Sequence, residues 1–151
     1  MRTSFYFAHP VTMYDTPVER AMEQRFRSQR PGVEVENPNQ PHHSEGYKQG
    51  GMDYFVQLCD RQDGVFFAPF SEGSLGAGVY KEVESFLKRG APAFQYQPQT
   101  HDFKQVGAPE VAALKVLNVD DSRAQLKLER QLAADGQSPY SDLATYDRGL
   151  A

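Results

Sequence analysis

The chain has a single cysteine, Cys59, no surplus of positive charge and no long apolar run. One thiol makes no internal disulfide, and Cys59 falls in a helical pattern, which points to a small buried side chain rather than a redox group. Sixteen Lys and Arg stand against twenty Asp and Glu, a formal charge of -4. That leaves no broad basic footprint for a phosphate backbone and argues against duplex nucleic acid as a main partner. No run approaches the roughly 20 apolar residues that a helix needs to cross a bilayer, so no membrane partner is expected. Met1-Arg2-Thr3-Ser4 leads directly into a strand-like run instead of the apolar core of a signal peptide. The expectation is a cytoplasmic protein.

What is present is the composition of a globular domain, 39% hydrophobic and 24% charged over 151 residues. This length suits one α/β domain over residues 1–135 and a tail over 136–151. Ser4-Phe5-Tyr6-Phe7-Ala8, closed by His9-Pro10, reads as a buried strand entering a loop. Thr16-Pro17 reads as N-cap and first helical position, with apolar residues at helical spacing until Pro31-Gly32. Val33–Val35 is a brief second strand. The polar stretch from Asn37 to Gly46, with prolines at 38 and 41, resembles a mobile active-site loop. Met52, Phe55, Val56 and Cys59 mark a helix, and Val65-Phe66-Phe67-Ala68 a central strand. A glycine-rich loop, a helix to Lys88 and a strand over Ala91–Tyr96 follow. Pro109–Leu117 allows a helix, but a last strand over Leu114–Val119 is preferred, leading into a helix over Ser122–Ala134.

Alternating strands and helices imply a three-layer sandwich: a parallel, flavodoxin/Rossmann-like sheet of about five strands with helices on both faces. Ligands of such folds bind beyond the carboxyl ends of the strands. The tail, with Tyr140 and Tyr146 but few aliphatic residues, is either frayed or laid across a neighbouring subunit.

One carboxylate is out of place. At about 100° per residue, Val79, Val83, Phe86 and Leu87 share one helical sector, and Glu82 points into its middle while Glu84 points away. A core-facing glutamate must pair, protonate or do chemistry. Upstream, Gly73-Ser74-Leu75-Gly76-Ala77-Gly78 can bring backbone N–H groups to an anion at a helix N-terminus, with the Ser74 hydroxyl as a further donor. It can equally be a tight turn. Asp63-Gly64 is either a site carboxylate or a helix-to-strand turn. His9 follows the first strand and is placed to touch substrate; His42-His43, in the polar stretch, either do likewise or are simply solvated. Adjacent histidines rarely share an ion and no spacing matches a zinc site, so neither metal nor cofactor is expected.

Tyr6-Phe7-Ala8, Asp63 ahead of an apolar strand and Ser74-Leu75-Gly76-Ala77-Gly78-Val79-Tyr80-Lys81-Glu82 together resemble the nucleoside 2-deoxyribosyltransferase superfamily, including its deoxynucleoside 5'-monophosphate N-glycosidases. The likeness covers roughly residues 4–96. It implies that Glu82 attacks the anomeric carbon of a nucleoside or nucleotide, with Glu84 as the fallback nucleophile. It implies that Asp63 helps protonate the leaving base and that Tyr6 holds Glu82 or the sugar. Ser74, Gly76 and Gly78 would bind a 5'-phosphate, and a homo-oligomer, a dimer or larger, would complete each site. The resemblance favours hydrolysis, and of a 5'-monophosphate, because Ser74 matches the phosphate-binding branch. The alternatives are a non-catalytic nucleotide-binding sensor and a plain interaction domain.

Overall fold

The computed structural model describes residues 3–151. Among them, five strands form one sheet in the order β2-β1-β3-β4-β5, with β1 Ser4–Ala8, β2 Glu34–Glu36, β3 Gly64–Phe67, β4 Ala93–Gln97 and β5 Asp102–Val106. The first four run parallel and β5 returns antiparallel to β4. Seven α-helices accompany them: α1 Pro17–Gln29, α2 Pro41–Gly50, α3 Met52–Cys59, α4 Ala77–Lys88, α5 Ala108–Ala112, α6 Val119–Ala134 and α7 Leu143–Leu150. No helix of the described residues is long and apolar enough to cross a membrane.

Strand periodicity sorts the core into two layers, because successive side chains leave a sheet on opposite faces. Tyr6, Ala8, Val65, Phe67 and Ala93 face Cys59 of α3 and Val79, Val83 and Phe86 of α4. Phe5, Phe7, Phe66 and Ala68 face Val18, Met22 and Phe26 of α1 and Tyr146 of α7. The second layer is aromatic: Phe26 and Phe66 stack at 3.9 Å, and Phe103 meets both edge-on. Burying one such ring contributes about 1.5–3 kcal/mol.

The helix starts obey local rules. The Thr16 side chain accepts from the Glu19 amide, with Pro17 at the position where its missing N–H costs nothing. Asn118 caps α6 by accepting from the Asp121 amide at 2.7 Å.

Three expectations fail. The stretch from Asn37 to Gly46 is not a loop throughout: Pro41 stands at the first turn of α2, so a residue read as a breaker is an initiator. Leu114–Val119 is not a strand. It makes one bridge, between Val116 and Leu75, and lies along the glycine-rich loop instead of the sheet. The fifth strand is Asp102–Val106, paired to β4 through a hairpin in which His101 takes a left-handed φ of 53°. The tail is neither frayed nor extended outward. Tyr140 and Tyr146 are fully buried in the aromatic layer, Tyr146 Oη donates to the Pro69 carbonyl at 2.7 Å, and a Cβ on Gly149 would stand 2.2 Å from the Ser71 carbonyl oxygen. Two tyrosines thus supply the burial that the tail's few aliphatics do not.

Candidate active site

Gly73 takes a φ of 100°, a left-handed conformation suited to glycine, and so turns the chain sharply after β3. Leu75 is then gripped by residues 115–117: its amide donates to the Lys115 carbonyl at 2.9 Å and its carbonyl accepts from the Leu117 amide at 2.8 Å. This fixes the start of α4, whose apolar stripe faces the sheet. Glu82 lies in that stripe, as its spacing from Val79, Val83 and Phe86 requires, and is 6% exposed.

Tyr6, from the middle of β1, donates its hydroxyl to Glu82 Oε2. Burial raises the Glu82 carboxyl to about 8, and the Tyr6 hydrogen bond partly offsets that rise by favouring the charged form. The same burial, then the Glu82 charge, lifts the Tyr6 phenol well above its ordinary value. Tyr14, on the loop after β1, is raised by burial and by the charges of Glu82 and Glu19. Cys59 is buried and its thiol is raised chiefly by burial, then by Glu82, so it is held protonated and unreactive.

Next to Tyr14 lies a second polar group. The His9 ring is 5.0 Å from the Tyr14 ring, stacks on Phe7, and places Nε2 2.7 Å from Glu19 Oε2 and Nδ1 2.9 Å from the Phe7 carbonyl. Glu19 also accepts from the Asp15 amide and from Asn39 Nδ2. Burial opposes the Glu19 charge, but His9 and these donors together hold its carboxyl below its ordinary value. The loop after β1 and the first turn of α1 therefore bring His9, Tyr14 and Glu19 together at the carboxyl edge of the sheet, with Tyr14 close enough to Glu82 to feel its charge.

The other expected residues separate. Asp63 is exposed and precedes β3, so it sits at the amino edge, where Oδ2 accepts from the Ser4 amide at 2.8 Å. It is a turn residue and is not brought to Glu82. Glu84 points outward, within 3.3 Å of Lys88 Nζ and accepting from the Tyr80 hydroxyl, so it is no alternative to Glu82. Ser74 is buried, but its amide (2.9 Å) and hydroxyl both donate to Glu72 Oε1. A carboxylate of the chain itself thus occupies the place expected for a phosphate. Gly76 packs against the Phe70 ring and Gly78 against the Met52 thioether. The Ala77 amide, first in α4, donates to Ser122 Oγ at 2.8 Å, and the Gly78 and Val79 amides are the ones left in that first turn.

Sequence reasoning missed Tyr14 and Glu19. Thr16-Pro17-Val18-Glu19 carries the spacing of a capping box, which would turn Glu19 back on its own helix. That local pattern gives no sign of the pairing with His9, ten residues upstream on the other side of a loop. Comparison with protein-family models, with curated proteins and with solved structures finds no match to this chain.

Proposed function

We propose that this protein cleaves the N-glycosidic bond of a nucleoside or nucleotide, with Glu82 as the nucleophile. The observation that carries this reading is a core-facing carboxyl with one side-chain donor, Tyr6, at the helix that follows a glycine-rich loop beyond the central strand. In the reaction Glu82 forms a bond to the anomeric carbon as the carbon–nitrogen bond breaks. The bonding pair leaves with the base, which takes up a proton. Water then cleaves the glycosyl ester, regenerating the carboxylate with net retention. Asp63 is too far round the sheet to supply the proton, so it comes from the β1 loop, where Tyr14 and His9 with Glu19 lie. Glu72 on the Ser74 donors favours an uncharged sugar over a 5'-phosphate.

A carboxyl raised to about 8 supports a second role, since a group protonated at neutral pH suits a general acid. The two readings differ in their pH profiles. A nucleophile must be ionised, so kcat/KM would rise toward about pH 8 and level off; a general acid gives a fall above it.

The test is chromatographic detection of free base from a panel of nucleosides and 5'-monophosphates, with wild type and Glu82→Gln. Release by wild type, a loss exceeding about 1000-fold in the variant, and a sugar adduct on acid-quenched wild type are expected. Ligand binding with no base release from any substrate would replace the enzyme with a nucleotide-binding sensor.

A further inference from the structure

We propose that Glu36, His42 and His43 bind a transition-metal dication of the zinc class, with Tyr54 fixing the inner histidine. Glu36 is the last residue of β2, and the two histidines stand in the first turn of α2. The link between them is folded tightly: Asn39 donates its amide to Asn37 Oδ1 at 2.8 Å and Gln40 Nε2 donates to the Asn37 carbonyl at 2.7 Å. The helix start is thereby drawn over the strand end. One donor atom from each of the three residues lies within 4.8 Å of the others. The adjacent imidazoles, which helical geometry would send about 100° apart, instead tilt together with centroids 3.9 Å apart. The third ligand comes from β2, a pairing that the run of polar residues alone does not disclose.

The donor chemistry selects the ion. Two imidazoles and one carboxylate suit zinc and its neighbours, whereas calcium and magnesium prefer oxygen donors. Three protein ligands also leave a position open to water or substrate, as in catalytic zinc sites. His43 is buried, with Nε2 on Glu36 Oε1 and Nδ1 2.6 Å from the Tyr54 hydroxyl. With the ion on Nε2, the ring's other nitrogen would donate to the Tyr54 hydroxyl, which can accept, and that outer hydrogen bond fixes the ring as ligating histidines require. Glu36 pairs with Tyr6 across the parallel ladder, so the ion would sit on the strand next to the one that positions Glu82.

A hydrogen-bonded chain of Glu36, His43 and Tyr54 without an ion is the competing account, and His42 separates the two. His42 is exposed and makes no hydrogen bond among the described residues, so that chain gives it no task, while the metal site makes it a ligand. The experiment strips untagged full-length protein with a chelator and titrates zinc against a chromogenic competitor. Cobalt(II) absorption serves as an independent readout of the ligand field, and circular dichroism of each ion-free variant checks the fold. The expected result is one zinc per chain, a zinc-dependent rise in Tm, a loss of affinity of about 10- to 100-fold in Tyr54→Phe, and larger losses in His42→Ala and Glu36→Gln. Absence of stoichiometric binding, or binding that folded His42→Ala leaves unchanged, would overturn the proposal. Neither result depends on base release.

Discussion

Glu82 and Glu129 are both almost fully enclosed, at 6% and 1% exposure, yet among the described residues one meets a single donor and the other meets five, four from side chains and one a backbone amide. Glu129 Oε1 accepts from Thr12 Oγ1 at 2.5 Å and Tyr140 Oη at 2.7 Å; Oε2 accepts from the Ser71 amide and hydroxyl and from Gln125 Nε2. These donors come from the loops after β1 and β3, from α6 itself and from the tail, so Glu129 ties four segments together. Among the described residues Glu82 receives Tyr6 alone, and burial leaves its carboxyl raised to about 8. A buried carboxyl surrounded by donors is a fastener; one left short of them retains the capacity to react.

The largest effect should come from breaking the fastener. Glu129→Ala leaves the Tyr140, Thr12 and Ser71 hydroxyls without their acceptor and opens a void. The expected loss is about 3–5 kcal/mol, read from urea unfolding at neutral pH. A loss below about 1 kcal/mol would mean that these contacts do not hold the tail in solution.

Removing the charge at the other site should act in the opposite direction. The folded state holds the Glu82 proton up to about pH 8, whereas the unfolded chain releases it near the ordinary glutamate value. Between those two values the folded state binds more protons, so wild-type stability from this group falls as pH rises. Glu82→Gln carries no such dependence. Its Tm relative to wild type should therefore climb across that window and be highest above about pH 8, while Glu129→Ala stays destabilised throughout. A flat difference against pH would show that Glu82 is not desolvated.

The Tyr6 hydroxyl is the one donor that favours charged Glu82 in this comparison. Tyr6→Phe removes it, so the Glu82 carboxyl rises further and the rising limb of kcat/KM moves to higher pH. At neutral pH a slowing of about 10- to 100-fold is expected, in line with about 1.5–3 kcal/mol for a hydrogen bond to a charge. A simple drop in rate with an unmoved limb would assign Tyr6 to the sugar.

What was legible in the sequence follows the range of the interactions. Glu82 was found because helical periodicity is local: Val79, Val83 and Phe86 fix the inward sector from a few residues away. The parallel core was readable for the same reason, in apolar runs such as Val65–Phe67. Glu129 escaped because its partners lie up to 117 residues distant, and a glutamate in a polar helix looks solvated until those partners arrive. The tail was misread because burial there rests on Tyr140 and Tyr146, whose hydroxyls find acceptors only in the folded chain. Asp63 had the right residue type beside the right strand, but at the amino end rather than the carboxyl end. A motif states what precedes a strand, and whether that edge carries the site depends on topology.

Asp63 gives the smallest effect and the sharpest check on that topology. Its carboxylate is exposed and accepts the Ser4 amide at 2.8 Å, two residues before Tyr6 on β1 and so about 7 Å along the strand from it. Asp63→Ala should cost only about 0.5–1.5 kcal/mol, as measured by urea unfolding. Base release and its pH profile should be unchanged, because the side chain lies at the edge opposite His9 and Tyr14. If a folded Asp63→Ala lost base release while keeping that modest stability change, the proton donor would lie at the amino edge. The reacting bond would then have to sit across the strands from the β1 loop, and Glu82, reached through the middle of β1, would be serving a site entered from the other side.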